Sequence, residues 1–159
     1  MYIFYLLRHK FWVMYYCFKH GLFWRGIVHD WDKLLLPSMI LVYSKYYPRI
    51  REIRNTDGYY NPSAAPPDYQ RAILAHFNRS RHHWQYWVLA NGTSFTALDM
   101  TETDVREMIC DWAGAGRTRQ KKKWTKASVR TFFNNTRDKM VLSEKTIQLI
   151  EKNLDSMGW

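Results

Sequence analysis

Apolar positions along the chain recur with a period near 3.6, and no stretch alternates with period two for long, so the predicted elements are helices. The first covers residues 3–20, with Leu6, Val13 and Cys17 among its inward positions and Gly21 as its stop. Its eighteen opening residues are apolar enough to raise a membrane span, but Arg8, His9 and Lys10 fall mid-stretch, where hydrocarbon makes them costly. No small-residue cleavage site follows, which argues against a signal peptide. The segment reads as a buried helix carrying polar residues. A second helix, 23–35, ends before Pro37, which suits the first turn of a third reaching Tyr47. Residues 54–67 read as a loop from their Asn, Gly, Ser and Pro. Asp68 opens a long fourth helix to about Leu89, closed by Asn91-Gly92.

Thr101, with Asp104 three residues on, resembles a capping box and starts a helix to about Ala113. Gly114-Ala115-Gly116 breaks it, giving a basic loop over 114–124. Helices over 125–137 and 144–156, the last capped by Ser143, complete the chain. The expected architecture is all-α: a single-domain bundle of about six or seven helices over residues 1–159.

Composition narrows the partners. The 159 residues can bury one core and are short for two domains. An aromatic content of 17% excludes a disordered basic tail. Lys and Arg number 24 against 14 Asp and Glu, and the net +10 favours an anionic partner, whether small molecule, nucleic acid or surface. Cys17 and Cys110 form no CxxC pair, which excludes a zinc ribbon or disulfide framework and fits a reducing, cytoplasmic setting. The run holding Arg117, Arg119, Lys121, Lys122, Lys123 and Lys126 is either a solvated surface or an arm that attracts phosphates. Arg117, just after the small residues, could reach a cavity mouth.

The chemistry-bearing residues lie on separate predicted helices: His9; His29-Asp30 with Lys33; His76, His82 and His83; and Glu107 with Asp111. One histidine on an apolar helix is ordinarily a core residue, and His-Asp alone is a common dipeptide. His20 fits no slot in the set and reads as structural. Packed helices can project imidazoles and carboxylates into one cavity. That mixed donor set suits Mn, Fe, Co, Ni or Zn, with Mg also admitted, and a carboxylate such as Asp30 can bridge two ions.

The order His9, His29-Asp30-Trp31-Asp32-Lys33, His76, His82-His83, Asp111 resembles the HD-type metal-dependent phosphohydrolases. Within them it is similar to the HDxxK variant and to the two-metal ligand order of HD-GYP domains. Two departures stand out: Trp84-Gln85-Tyr86-Trp87 follows the histidine pair in place of a Gly-Tyr-Pro signature, and Asp32 stands where that motif has glycine. The segments Leu7–Lys10, Trp24–Lys33, His82–Trp84 and Arg106–Arg117 also resemble a family of uncharacterised bacterial and phage proteins.

The HD resemblance implies a first metal on His9, His29, Asp30 and Asp111, and a second on Asp30, His76 and His82 or His83. It implies a metal-activated water attacking phosphorus, with Asp30 and Lys33 catalytic, Lys33, Arg79 and Arg117 on the substrate, and Glu107 holding a ligating histidine from behind. Trp31 and Trp112 could stack on a base. The expected activity is phosphohydrolysis of a nucleotide or related ester. A nucleic-acid- or nucleotide-binding helical protein without catalysis is the other reading, and homo-oligomers are compatible with either.

Overall fold

In the computed structural model, which describes residues 2–53 and 64–159, α1 (Tyr2–Lys19) leads into α2 (Phe23–Val28), α3 (Trp31–Leu35), α4 (Pro37–Tyr46) and α5 (Ile50–Ile53). Next come α6 (Pro67–Phe77) and a hairpin of β1 (Val88–Asn91) and β2 (Ser94–Ala97). Helices α7 (Glu102–Gln120), α8 (Ala127–Thr136) and α9 (Glu144–Ser156) complete an all-α, single-domain bundle. Residues 54–63 of the expected loop lie outside the described residues. The expected caps are present: Thr101 Oγ1 accepts from Asp104 N, and Ser143 Oγ accepts from Thr146 N.

Helices α1 and α7 pack lengthwise and organise the rest. The C-terminal half of α1 and the first three turns of α7 join α8 and α9 in one core, built on Val13, Cys17, Ile109, Phe133, Ile150 and Leu154. The N-terminal half of α1 joins α4, α5 and α6 in a second, tyrosine-rich core that includes Tyr2, Leu6, Tyr43 and Tyr69. Each fully buried side chain of this kind contributes roughly 1.5–3 kcal/mol. His9 lies on the same face of α1 as Leu6 and Val13, at the junction of the two cores.

Four expectations are corrected. The α1 segment is buried on one face only: Phe4, Leu7, Phe11 and Phe18 on its other side are exposed, as are Phe23 and Trp24 of α2. No helix among the described residues is long and apolar enough to cross a membrane. The expected 23–35 helix is interrupted at His29-Asp30, where Asp30 adopts a left-handed conformation with φ 53°. The helix opened by Asp68 stops at Phe77, and the aromatic and branched residues beyond favour a hairpin instead. Gly92, at φ +60°, serves its turn rather than closing a helix, and the register pairs Val88 with Ala97 and Asn91 with Ser94.

The fourth correction concerns Gly114 and Gly116, which lie inside α7 rather than ending it. A Cβ on Gly114 would come within 2.5 Å of Val13 Cγ2 and 2.9 Å of its backbone nitrogen. α1 and α7 therefore pack closely at this glycine, and helix packing overrides its weak propensity. The expected basic loop is instead the last turn of α7 followed by a 3-10 turn at Lys121–Lys123.

Candidate metal centre

Five pieces of chain converge at the junction of the two cores. α1 supplies His9, and α7 supplies Glu107 and Asp111 one turn apart on a single face. The break between α2 and α3 supplies His29 and Asp30. Aspartate tolerates the left-handed region better than most residues, and here that conformation keeps Asp30, 3% exposed, beside His29, 1% exposed. α3 follows with Asp32 and Lys33. The end of α6 brings His76, and the chain turns back from Asn78 so that His82 and His83 return to it. His76 and His83 are thus not two turns apart on one helix, yet their Nε2 atoms lie 2.8 Å apart.

Asp30 is the pivot. Its Oδ2 lies 3.4 Å from His9 Nε2 and accepts a 2.8 Å bond from Lys33 Nζ. Its Oδ1 lies 3.3 Å from His76 Nε2 and 3.6 Å from the Nε2 atoms of both His29 and His82. Asp111 Oδ1 closes the other side, 3.2 Å from His9 Nε2 and 3.6 Å from His29 Nε2. Two groups with mutually close donor atoms result: His9, His29 and Asp111, and Asp30, His76, His82 and His83. A third comprises His29, His82 and Glu107.

The outer faces of the imidazoles are held by carboxylates. His29 Nδ1 and His82 Nδ1 both donate to Glu107 Oε1, at 3.1 and 3.2 Å, and His76 Nδ1 donates to Asp32 at 3.0 Å. Burial pushes the Glu107 carboxyl up, but bonds from His29 and His82 outweigh it and lower its pKa, so Glu107 is an ionised, acceptor-only group. Both Nδ1 atoms then carry a proton toward Glu107, which leaves each Nε2 facing inward, where it could bind a metal ion. Glu107 Oε2 is in turn bonded by Arg25 at 3.0 Å, which also reaches Asp104 at 2.9 Å.

The electrostatics divide the centre in two. Burial raises the Asp30 and Asp111 carboxyls; Lys33, His29 and His76 at the first, and His29 and His9 at the second, more than reverse it and hold both well below normal. Burial lowers His29, yet Asp30, Asp111 and Glu107 drive it well above its ordinary value, and Asp111 and Asp30 likewise raise His9. The carboxylate charge that raises these two imidazoles also favours a metal cation, which would compete with the proton for Nε2. On the other side, burial and Lys33 lower His76 to about 4, and burial with His82 and His76 lowers His83 well below normal. Those two rings are neutral and offer lone pairs.

The donor set fits divalent ions. His29 Nε2, His82 Nε2 and Asp30 Oδ1 are buried and make no hydrogen bond, although they face one another. Buried polar atoms are rarely left so. Ligands about 2.1 Å from one ion at tetrahedral or octahedral angles are about 3.0–3.4 Å apart, close to the spacings observed. These buried His, Asp and Glu groups could hold a metal ion.

A cavity of about 1320 Å³ opens onto the cluster, lined by His9, Asp30, Lys33, His76, His83 and Asp111 together with residues of both cores. Arg119 and Lys121 also line it. Arg117 is instead held 3.7 Å over the Trp12 ring and bonded to the Tyr16 hydroxyl at 2.9 Å, outside the lining. Arg79, in the turn after α6, is exposed and donates to the carbonyl of Ala75 at the end of that helix. Trp112 lines the cavity, whereas Trp31 is 44% exposed and does not. His20 stands apart from the cluster, its ring 5.9 Å from that of Trp159. Sequence reasoning missed Asp32, Arg25 and Lys10, whose Nζ bonds the carbonyls of Ile27 and His29 and braces the break. The one available signal was Asp32 in the glycine position of the HD-GYP motif.

No curated protein and no solved structure matches the chain. A family model does match, over residues 1–156: the chain belongs to DUF5662, a family of unknown function.

Proposed function

We propose that the protein is a metal-dependent phosphohydrolase of HD type that cleaves a nucleotide or related phosphate ester at the Asp30 centre. The observation that carries this reading is the sharing of one buried carboxylate, Asp30, between two groups of imidazoles, among which His29 Nε2 and His82 Nε2 make no hydrogen bond. Divalent ions, if held by these residues, would supply Lewis acidity toward phosphoryl oxygens and lower the pKa of water toward neutrality. His9, His29 and Asp111 hold one side, His76, His82 and His83 the other, and Glu107 and Asp32 fix the tautomers behind them. Lys33, 16% exposed at the cavity wall, is the cation beside the pivotal carboxylate and neutralises charge on the phosphoryl oxygens. In the hydrolysis, water's oxygen joins phosphorus, one P–O ester bond breaks, and the departing oxygen leaves protonated.

The test is hydrolysis of bis(4-nitrophenyl) phosphate and of nucleoside mono-, di- and triphosphates and cyclic nucleotides with Mn, Co, Ni and Mg. Metal-dependent turnover that disappears in Asp30→Asn and Asp111→Asn, with helicity unchanged, is expected. A folded, metal-loaded protein inert toward the whole panel contradicts the proposal.

A further inference from the structure

Beyond the metal centre, the cavity follows one face of α7. Asp111, Ala115, Thr118 and Arg119 all line it, and Lys121 continues the line past the helix end. At 1.5 Å rise per residue, the eight residues from Asp111 to Arg119 span about 12 Å. Between the two poles stand Trp112 and Phe132, both in the lining, with ring centroids 5.5 Å apart. Thr118 is 5% exposed and its buried Oγ1 has no hydrogen-bond partner, an unusual state for a hydroxyl beside a cavity. Arg119 and Lys121 are exposed and form no ion pair among the described residues. On the other side of the metal centre the same cavity runs into the tyrosine-rich core, where Tyr2, Tyr43 and Tyr69 line it.

Resting on the phosphohydrolase reading, we infer that the substrate is a single-stranded oligonucleotide. Its scissile phosphodiester lies at Asp30, one nucleoside faces the tyrosines, and the chain continues over Trp112 and Phe132 so that later phosphates meet Thr118, Arg119 and Lys121. A cationic track interleaved with aromatic rings is how single strands are held without reading their sequence. Three features favour this over a mononucleotide. The cavity exceeds the usual 300–1,000 Å³ of a small-molecule site. The second anion pole is about 12 Å from the first along α7, whereas a nucleoside triphosphate carries its phosphates contiguously. Aromatic surface also extends to both sides of the metal pole, which suits an ester substituted on both sides.

The test is fluorescence anisotropy of labelled phosphorothioate oligothymidylates of two to eight nucleotides, with thymidine monophosphate as the short control. Stacking and added phosphate contacts predict roughly tenfold or greater tightening between the two- and six-nucleotide probes. In Arg119→Ala/Lys121→Ala this gain should shrink, and the slope of log affinity against log salt should flatten by about 1.4. Binding of the monophosphate should be unchanged. Length-independent affinity, or equal weakening of the monophosphate, overturns the inference while leaving the phosphohydrolase reading intact. Metal content and bis(4-nitrophenyl) phosphate hydrolysis of the same preparations report separately on that reading. If both are absent, the oligonucleotide is not a substrate, whatever its affinity.

Discussion

Replacing Glu107 by glutamine removes one charge and almost no volume, and it tests whether the centre is built around its outer carboxylates. Glu107 accepts from His29 and His82 through Oε1 and from Arg25 through Oε2, all at 3.0–3.2 Å. Glutamine has one acceptor oxygen and an NH2 that only donates. Whichever way the amide turns, that NH2 meets a donor, either Arg25 or the two imidazole Nδ1–H groups. In the second case His29 and His82 must switch tautomer, and each then aims Nε2–H at the space meant for an ion. Loss of one such outer partner weakens metal binding about 10–100-fold, or about 1.4–2.8 kcal/mol. With two histidines sharing one carboxylate oxygen, the upper end is expected. Arg25 keeps its 2.9 Å bond to Asp104, which limits the cost to the fold. The assay is metal affinity by chelator competition, beside a thermal melt in EDTA. Affinity within threefold of the parent in a folded variant would refute the reasoning. Loss of one whole equivalent would instead make Glu107 a ligand.

Three further outcomes are expected. Gly114→Ala should cost about 1–3 kcal/mol in chemical denaturation and lower metal content, because its Cβ forces α1 off α7 and with it His9 from Asp111. Ile150→Ala, in the α9 part of the core, should cost about 2–5 kcal/mol by the same measure yet leave metal stoichiometry unchanged. Asp68→Asn tests a surface contact: bonds from Tyr46 and Lys45 lower the Asp68 pKa from 3.8, so its stabilisation is present above that value and lost as pH falls through the lowered one. The melting-temperature gap between parent and variant should close in acid, and a gap that widens there would contradict the sign.

Residue periodicity is enough to read α1, α4, α8 and α9, because each buries one regular face against a neighbour. It fails where another force decides. At His29-Asp30 a left-handed residue and the Lys10 bonds interrupt a pattern that looks continuous on paper. At Gly114 the requirement is interhelical space, which no local signal distinguishes from a helix stop. After Phe77 a return turn replaces the expected helix and brings His83 to His76 by a route that helical spacing misrepresents, and a two-strand hairpin follows. The candidate ligands themselves are legible as residue types in order along the chain. Their outer partners are not: Asp32 and Arg25 act through contacts across elements, and Arg117 is taken up by Trp12 and Tyr16 in a way its position after Asp111 does not reveal.

The central claim is that Asp30 joins two metal sites. Elemental analysis of the purified protein after dialysis against Mn, Co or Ni, in parallel with Asp30→Asn, tests it most directly. Two equivalents per chain in the parent, both lost in the variant while helicity is retained, is the predicted result. A folded parent that binds no metal, or a single equivalent that survives Asp30→Asn, would contradict it.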